Sequence, residues 1–567
     1  MLLAALFACW MLGGAIVNPQ NLSWMTGDFV QCQFAWEAYR GDPQPASSLA
    51  TSYASWPLPL QIAMFDIVPL AAFPLKLLSP WLPATFQYFG PLFVVNAALQ
   101  GLFAFLFFKE AAAKAEPCWE RDAGVTIAAL FIAAAPVLYA RFYLQHAPLT
   151  AQWLVIAALW LYARSARVSV ARTIWAYGLL LFVAGGINPY LLVMTTGVYC
   201  GALIKLALER RLFRLAAAAA ALPVASALGA LILFGFLDLG GDGVVPGEGY
   251  GYYSSNFNTL FNPMTHILGS SILPPLPTAA IYQYEGYGYL GAGAMIVVLA
   301  GLWIGRSRQA LHEPFALPLL VVALGAFMLA ASTTLTFGAA AILLPTPAFA
   351  LKVLEIFRSS GRFVWVTYYI LLALGAALLL RQAPPRVALA VLTLGAAMQI
   401  VDLAAPYATM RAKFAAFQPR RFTDAIYADL GHAHSALVVI PPWQCAKEDD
   451  YERPLFEPIS LLAIDNHLRT NSFYAGRLQR DQERYHCVEF PRAFASAPSD
   501  LNAAYLFTPR AFAARGGQVS ATHFCELGDK FILCRGDRGH SGLSDAARKA
   551  IGLKQAENPA HEAASVQ

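Results

Sequence analysis

Charge is what this chain has least of. Asp, Glu, Lys and Arg make up 13% of its 567 residues, roughly half the share of an ordinary soluble globule, so the bulk of the chain is not a water-facing protein. The net charge of +5 is small for this length, and the basic residues are scattered through short loops, which argues against nucleic-acid binding. The chain has no Gly-rich phosphate loop of the nucleotide-binding type, which argues against ATP coupling or a nucleotide-linked donor. It also has no C-x-x-C spacing and no histidine cluster at ligand spacing, so no dedicated metal site is expected.

What the chain has instead is apolar length. Hydrophobic residues reach 58% and the mean hydropathy is +0.51, and repeated runs are long enough to cross ~30 Å of hydrocarbon. Eleven such spans lie at about 1–17, 86–108, 123–140, 148–163, 173–187, 190–206, 213–236, 288–305, 315–332, 363–380 and 386–404. Gly185, Gly186 and Pro189 interrupt the fifth and sixth. A further apolar stretch at 57–78 is punctuated by Pro57, Pro59, Pro69 and Pro74, with Asp66 at its centre. It reads as interfacial or re-entrant helices outside the membrane core.

Loop charge sets the orientation. With residue 1 inside, the inner loops carry 14 Lys and Arg and the outer loops before residue 404 carry 6, so the N-terminus is expected in the cytoplasm and the C-terminus outside. A cleaved signal peptide over residues 1–17 is the alternative, but there is no basic n-region and Val17-Asn18-Pro19 is a poor cleavage site.

Beyond about residue 410 polar residues return, and short strand-like runs appear at 436–440, 503–507 and 530–534. The expected architecture is an all-α polytopic membrane domain over 1–410, a small soluble α/β domain over 411–535, and a disordered polar tail over 536–567. Cys445, Cys487, Cys525 and Cys534 all fall on the outer side. Disulfides 445–487 and 525–534 are favoured over a zinc site, closing a long loop and a hairpin. Cys9, Cys32, Cys118 and Cys200 read as small buried hydrophobes.

The acids outside the C-terminal domain gather on the outer face, in loops 18–85, 237–288 and 333–362. They include Asp28, Glu37, Asp42, Asp66, Asp238, Asp242, Glu248, Glu285 and Glu355. Asp28 emerges at the membrane surface just after the first span, where a carboxylate is costly unless solvated or working.

A first span followed by Gly27-Asp28 in a large outer loop, with Pro-interrupted interfacial helices before the second span, resembles the C-type glycosyltransferase (GT-C) superfamily. More narrowly, F-D-I-V-P-L at 65–70, L-S-P-W-L-P at 78–83, F-Q-Y-F-G at 86–90, G-Y-Y-S at 251–254, Y-E-G-Y-G-Y-L-G at 284–291 and F-R-S-S-G-R-F at 357–363 resemble a bacterial family of uncharacterised membrane proteins near that superfamily. The resemblance covers residues 15–490 or so. It implies a location in the bacterial cytoplasmic membrane and transfer of a sugar from a polyprenyl-phosphate carrier to a glycan, lipid or protein acceptor on the outer side, with inversion at the anomeric carbon. The leaving polyprenyl phosphate is already an anion, so one base for the acceptor hydroxyl suffices. Glycoside hydrolysis, by contrast, normally needs two carboxylates.

Asp28 is the expected base; a helix N-cap is its structural alternative. Arg358 and Arg362, flanking Ser359-Ser360-Gly361, are expected to hold the lipid phosphate, against snorkelling at the interface. Arg141 and His146 flank a tight outer turn and offer further phosphate or acceptor contacts. Asp66 is open to hydroxyl binding or a structural role. Glu285, set among Tyr282, Tyr284, Tyr287 and Tyr289, suits sugar recognition, although an interfacial tyrosine belt explains the rings equally well. Tyr252 and Tyr253 lie in the run 249–256, whose glycines suit a lid. The outer loops lack a D-x-D pair, but Asp28 with a second acid could hold a divalent cation. The rival readings are a transporter or flippase of a lipid-linked intermediate, which calls for ionisable residues along the spans, and a non-catalytic envelope scaffold.

Overall fold

The computed structural model describes residues 1–113, 117–210, 213–237, 243–245, 250–447, 455–496 and 499–556. Lys114, Arg211, Asp238, Asp242, Glu248 and the last residues of the tail, 557–567, lie outside that set. The chain divides into two compact units, one of Met1–Leu22, Ala84–Phe234 and Pro246–Ala416, the other of Ser23–Pro83, Gly235–Val245 and Phe417–Gln567.

The first unit is helical. An α-helix lies at each of the eleven apolar stretches. Among the described residues, six helices are long and apolar enough to cross a membrane: Phe89–Ala112, Trp119–Tyr143, Val170–Ile187, Pro189–Glu209, Ser360–Gln382 and Pro385–Ala415. Others are shorter, and local chemistry says why for two of them. Gly13 leaves helical geometry inside Leu2–Val17, and Pro148 sits in a 3-10 turn, Ala147–Thr150, that precedes the twelve-residue helix Trp153–Arg164.

The interrupted fifth and sixth stretches are two helices with Asn188 alone between them, its side chain accepting the Tyr190 amide at 2.9 Å. Helix Ser360–Gln382 is buried almost throughout, whereas Pro385–Ala415 turns most of its surface outward. Glycine permits the closest approach around them: a Cβ on Gly301 would lie 2.0 Å from the Gly375 carbonyl oxygen, and one on Gly293 would lie 1.9 Å from that of Gly395. Backbones meeting through small residues are how membrane helices pack when there is no hydrophobic drive between them.

Buried polar side chains in this bundle bond to one another. Asn96 donates to the Thr150 hydroxyl, and Gln100 donates to the Tyr369 hydroxyl, which donates in turn to Gln152. Asp402 accepts from Ser271 Oγ, the Ile272 amide, the Tyr289 hydroxyl and the Ala292 amide, at 2.6–3.0 Å. One carboxylate in the middle of the last long helix therefore pins a loop and the start of helix Ala292–Ser307.

The second unit is built on a six-stranded mixed sheet. Its spatial order is 542–543, 524–528, 531–535, 503–507, 436–440, 469–470. Strands 469–470, 436–440 and 503–507 are parallel neighbours, and 531–535 runs antiparallel to both 503–507 and 524–528. Strands 436–440, 503–507 and 531–535 are buried along their whole length, with apolar clusters on both faces, as parallel strands covered on two sides require. Cys445–Cys487 and Cys525–Cys534 are the disulfides, the second joining directly paired residues of the hairpin.

Two boundaries differ from expectation. The loop after the first helix groups with the C-terminal domain rather than with the other helices. There it forms helix Asp28–Gly41, a two-residue hairpin pairing Ala50–Thr51 with Leu60–Gln61, and helix Pro69–Leu77. It also extends the large sheet, since the Thr470 amide donates to the Tyr53 carbonyl and the Trp56 amide to the Thr470 carbonyl. The tail is ordered as far as residue 556: Gly542–Leu543 pairs parallel with 524–525, and helix Asp545–Ala556 buries Ala547 against the sheet. An amphipathic run, read from sequence as polar, found an apolar face to cover.

Candidate functional site

The loop after the first helix presents two carboxylates. Asp28 is the first residue of helix Asp28–Gly41, and the N-cap is Gly27, at φ 54°, with no side-chain cap. The N-cap alternative for Asp28 is thereby corrected: its carboxylate belongs to the first turn, where unpaired amides and the helix dipole favour negative charge. Asp66 follows the 3-10 turn Ile62–Phe65 with a left-handed backbone, φ 55°.

Both acids bear on Cys32, one turn along the helix. Cys32 is wholly buried and its thiol donates to the Asp66 carbonyl at 3.4 Å. Burial, then Asp66, then Asp28 push that thiol well above its ordinary range. The thiol is therefore neutral, and it marks the place where residues 28 and 66 converge.

Two glutamates flank this place. Glu457, at the start of helix Phe456–Asp465, is buried, and burial raises its pKa even though Thr26, Gly27 and the Arg420 amide all donate to its carboxylate. Glu37, three turns into the helix, accepts from Gln33 at 2.8 Å, and burial raises it to about 7 against the pull of Arg40. Among the described residues no group of three or more His, Cys, Asp or Glu side chains is placed to hold a metal ion.

The helical unit gathers the other candidates. Arg141 ends helix Pro136–Tyr143, His146 follows in the turn, Glu285 lies in the 3-10 segment Ile281–Gly286, and Arg362 lies in Ser360–Phe363. Glu285 Oε2 accepts from Arg141 at 2.9 Å and from Arg362 at 2.7 Å, and His146 Nε2 stands 3.8 Å from Oε1. Burial alone would raise the Glu285 pKa, but the two guanidinium groups hold it well below the usual range. Burial drives His146 down to about 3, so its ring is neutral and the cluster keeps one net positive charge. Arg141 packs over the Trp365 ring at 5.0 Å and Arg362 over Tyr190 at 4.8 Å.

Arg358 stands apart from this cluster, over the Tyr253 ring at 5.7 Å, and Tyr252 is exposed. The lid reading of run 249–256 does not fit its described part. Ser254, Ser255 and Asn256 are fully buried, the Ser255 amide donates to Ala330, and Asn256 bonds to both Gln283 and Gly338. The Gly361 amide donates to the Tyr253 carbonyl, and a Cβ on Gly361 would lie 2.8 Å from that oxygen. Loops 251–262, 279–291, 333–343 and 357–363 are thus clasped together.

Sequence reasoning missed Glu457 and Asp402, and read Cys32 as the small buried side chain that it is. Only Asp402 carried a signal, as an acid in an otherwise apolar run; Glu457 and Gly27 are far apart in the chain. A family model described as a domain of unknown function (DUF6311) matches residues 1–404, and one described as the DUF6311 C-terminal domain matches residues 426–536. No curated protein matches the chain. With one of these models spanning most of its length and the other its C-terminal domain, the chain belongs to the DUF6311 family.

Proposed function

We propose that the protein is an inverting, GT-C-type glycosyltransferase of the bacterial cytoplasmic membrane, with eleven spans, the N-terminus inside and the C-terminal domain outside. It moves a sugar from a polyprenyl-phosphate donor to an acceptor hydroxyl. The acceptor oxygen attacks the anomeric carbon, its proton passes to the Asp28 carboxylate, and the carbon–oxygen bond to the phosphate breaks with its electron pair leaving on the polyprenyl phosphate. Two disulfides in the C-terminal domain suit an extracytoplasmic setting.

The observation that supports the reading is that the Asp66 backbone carbonyl accepts the thiol of Cys32, one turn beyond Asp28 on the same helix. One base is what the reaction asks for, and a second acid from a distant point of the same loop can take a sugar hydroxyl. Arg141 and Arg362, with one net positive charge left after Glu285, supply the chemistry for a lipid phosphate. A divalent cation, where one is used, would be held by Asp28 and Asp66. Against a transport pathway, the polar side chains described inside the bundle, such as Asn96, Gln100 and Gln152, are engaged with one another.

The test is mass spectrometry of envelope glycolipids and polysaccharides from a strain lacking the protein, complemented with wild type or Asp28→Asn. One sugar should vanish from a defined product and return only with wild type. Full restoration by the asparagine variant sinks the role of Asp28.

A further inference from the structure

We infer that the acceptor is itself a carbohydrate, and that it docks on the rings of Trp443 and Tyr474 beside Asp28 and Asp66. Calling the ligand an acceptor rests on the transferase reading above; the ring platform does not.

The strand order locates the site first. Strands 436–440, 469–470 and 503–507 are parallel, and the first in sequence lies between the other two. Its chain connection leaves to one side and the third strand is added on the other, and the carboxyl ends of strands at such a switch are the usual ligand position of open α/β sheets. Trp443 sits three residues beyond the end of 436–440, and Tyr474 follows 469–470 at the same edge.

The two loops there are held in one arrangement. The Trp443 amide donates to Ser472 Oγ at 3.0 Å, Gln444 donates to the Asn471 carbonyl at 2.9 Å, and Gln444 accepts the Phe473 amide at 3.1 Å. Cys445, two residues past Trp443, is clamped to Cys487. The rings of Trp443 and Tyr474 are 4.7 Å apart, with Phe456 at 5.7 and 5.1 Å behind them. Phe456 is buried, whereas Trp443 and Tyr474 are half-buried.

The same segments reach the two acids. Glu457, next to Phe456, accepts from Gly27, the neighbour of Asp28. Gly476, two residues beyond Tyr474, lies against the Asp66 carboxylate, where a Cβ would stand 3.1 Å from Oδ2, and its amide donates to the Met64 carbonyl. Rings present a flat apolar face to the axial C–H groups of a pyranose, while carboxylates nearby take its hydroxyls. A lipid tail or an unfolded peptide has no use for that pairing.

The experiment uses the full chain in lipid nanodiscs, free of glycosidic detergent, and saturation-transfer difference NMR with the methyl α-pyranosides of glucose, mannose, galactose and N-acetylglucosamine. At least one should show transfer to its axial ring protons, cut at least fivefold by Trp443→Ala and retained by the exposed change Arg515→Gln. Tyr474→Leu keeps apolar bulk and replaces Trp443→Ala if that variant yields no folded protein. Absence of transfer to every sugar, or transfer unchanged by both ring variants, overturns the inference. Sugar binding lost with Trp443→Ala while Asp28→Asn still complements the strain keeps the platform and removes the transferase. The converse pattern keeps the transferase and removes the platform.

Discussion

Glu457 accepts the Gly27 amide across 430 positions of sequence, fixing the start of helix Asp28–Gly41 one residue before Asp28. Removing that acceptor strands buried donors, at a cost of about 1–3 kcal/mol. Glu457→Ala should therefore speed amide hydrogen exchange over residues 27–31 by roughly tenfold or more and abolish complementation with Asp28 untouched. Glu457→Gln keeps an acceptor oxygen and should restore most of both. Wild-type exchange in the alanine variant would refute the coupling.

Glu37 makes the same unit sensitive to pH. Its carboxyl titrates near 7 when folded against an ordinary 4.5, so the folded state holds an extra proton between those values. Stability is then greatest below about pH 4.5 and declines as pH rises to about 7. Glu37→Gln should remove that slope, matching wild type at pH 4.5 and unfolding about 3 °C higher at pH 8. Thermal unfolding in nanodiscs across pH 4.5–8 reads the difference, and parallel curves for the two proteins would count against it.

In the helical unit, Glu285→Gln leaves Arg141 and Arg362 buried together without their shared anion. Breaking a buried pair from one side costs about 3–5 kcal/mol, so this variant should unfold well below wild type in a detergent titration. His146→Gln should change little between pH 5 and 8, because the ring is already neutral there. A strong pH dependence removed by His146→Gln would contradict the neutral assignment.

Deleting helix Asp545–Ala556 uncovers the sheet face on which Ala547, Leu543 and Ile551 pack. The expected loss is on the order of 3 kcal/mol, visible as faster limited proteolysis between residues 500 and 544. A fragment pattern identical to wild type would restore the view of this segment as a dispensable tail.

Much of the helical unit could be read directly, because apolar length is a local property and each of the eleven stretches holds a helix. The disulfides were legible too, since four cysteines offer few pairings and two lie on one predicted hairpin. Arg141 and His146 stood out for flanking a tight turn, Arg362 for its place just before a span, and Glu285 for the tyrosines around it in its loop. That Glu285 would be shared by both arginines is a tertiary fact, and it turns a residue read as a sugar ligand into an ion-pair partner. Gly27 as cap in place of Asp28 depended on a positive φ that glycine permits but does not announce. The ordered tail failed for a related reason: its helix is polar on one face, and only the sheet reveals the other.

The assembly of the second unit from Ser23–Pro83, Gly235–Val245 and everything after Phe417 has a consequence for synthesis. At roughly 5–20 residues per second, a ribosome needs on the order of tens of seconds to pass from Pro83 to Phe417. Through that interval Trp24, Phe29, Trp36 and Phe65, all buried at the end, are without the domain against which they finally pack. Residues 23–83 therefore wait, apolar and uncovered, for the last segment of the chain, and this is when a chaperone has most to hold.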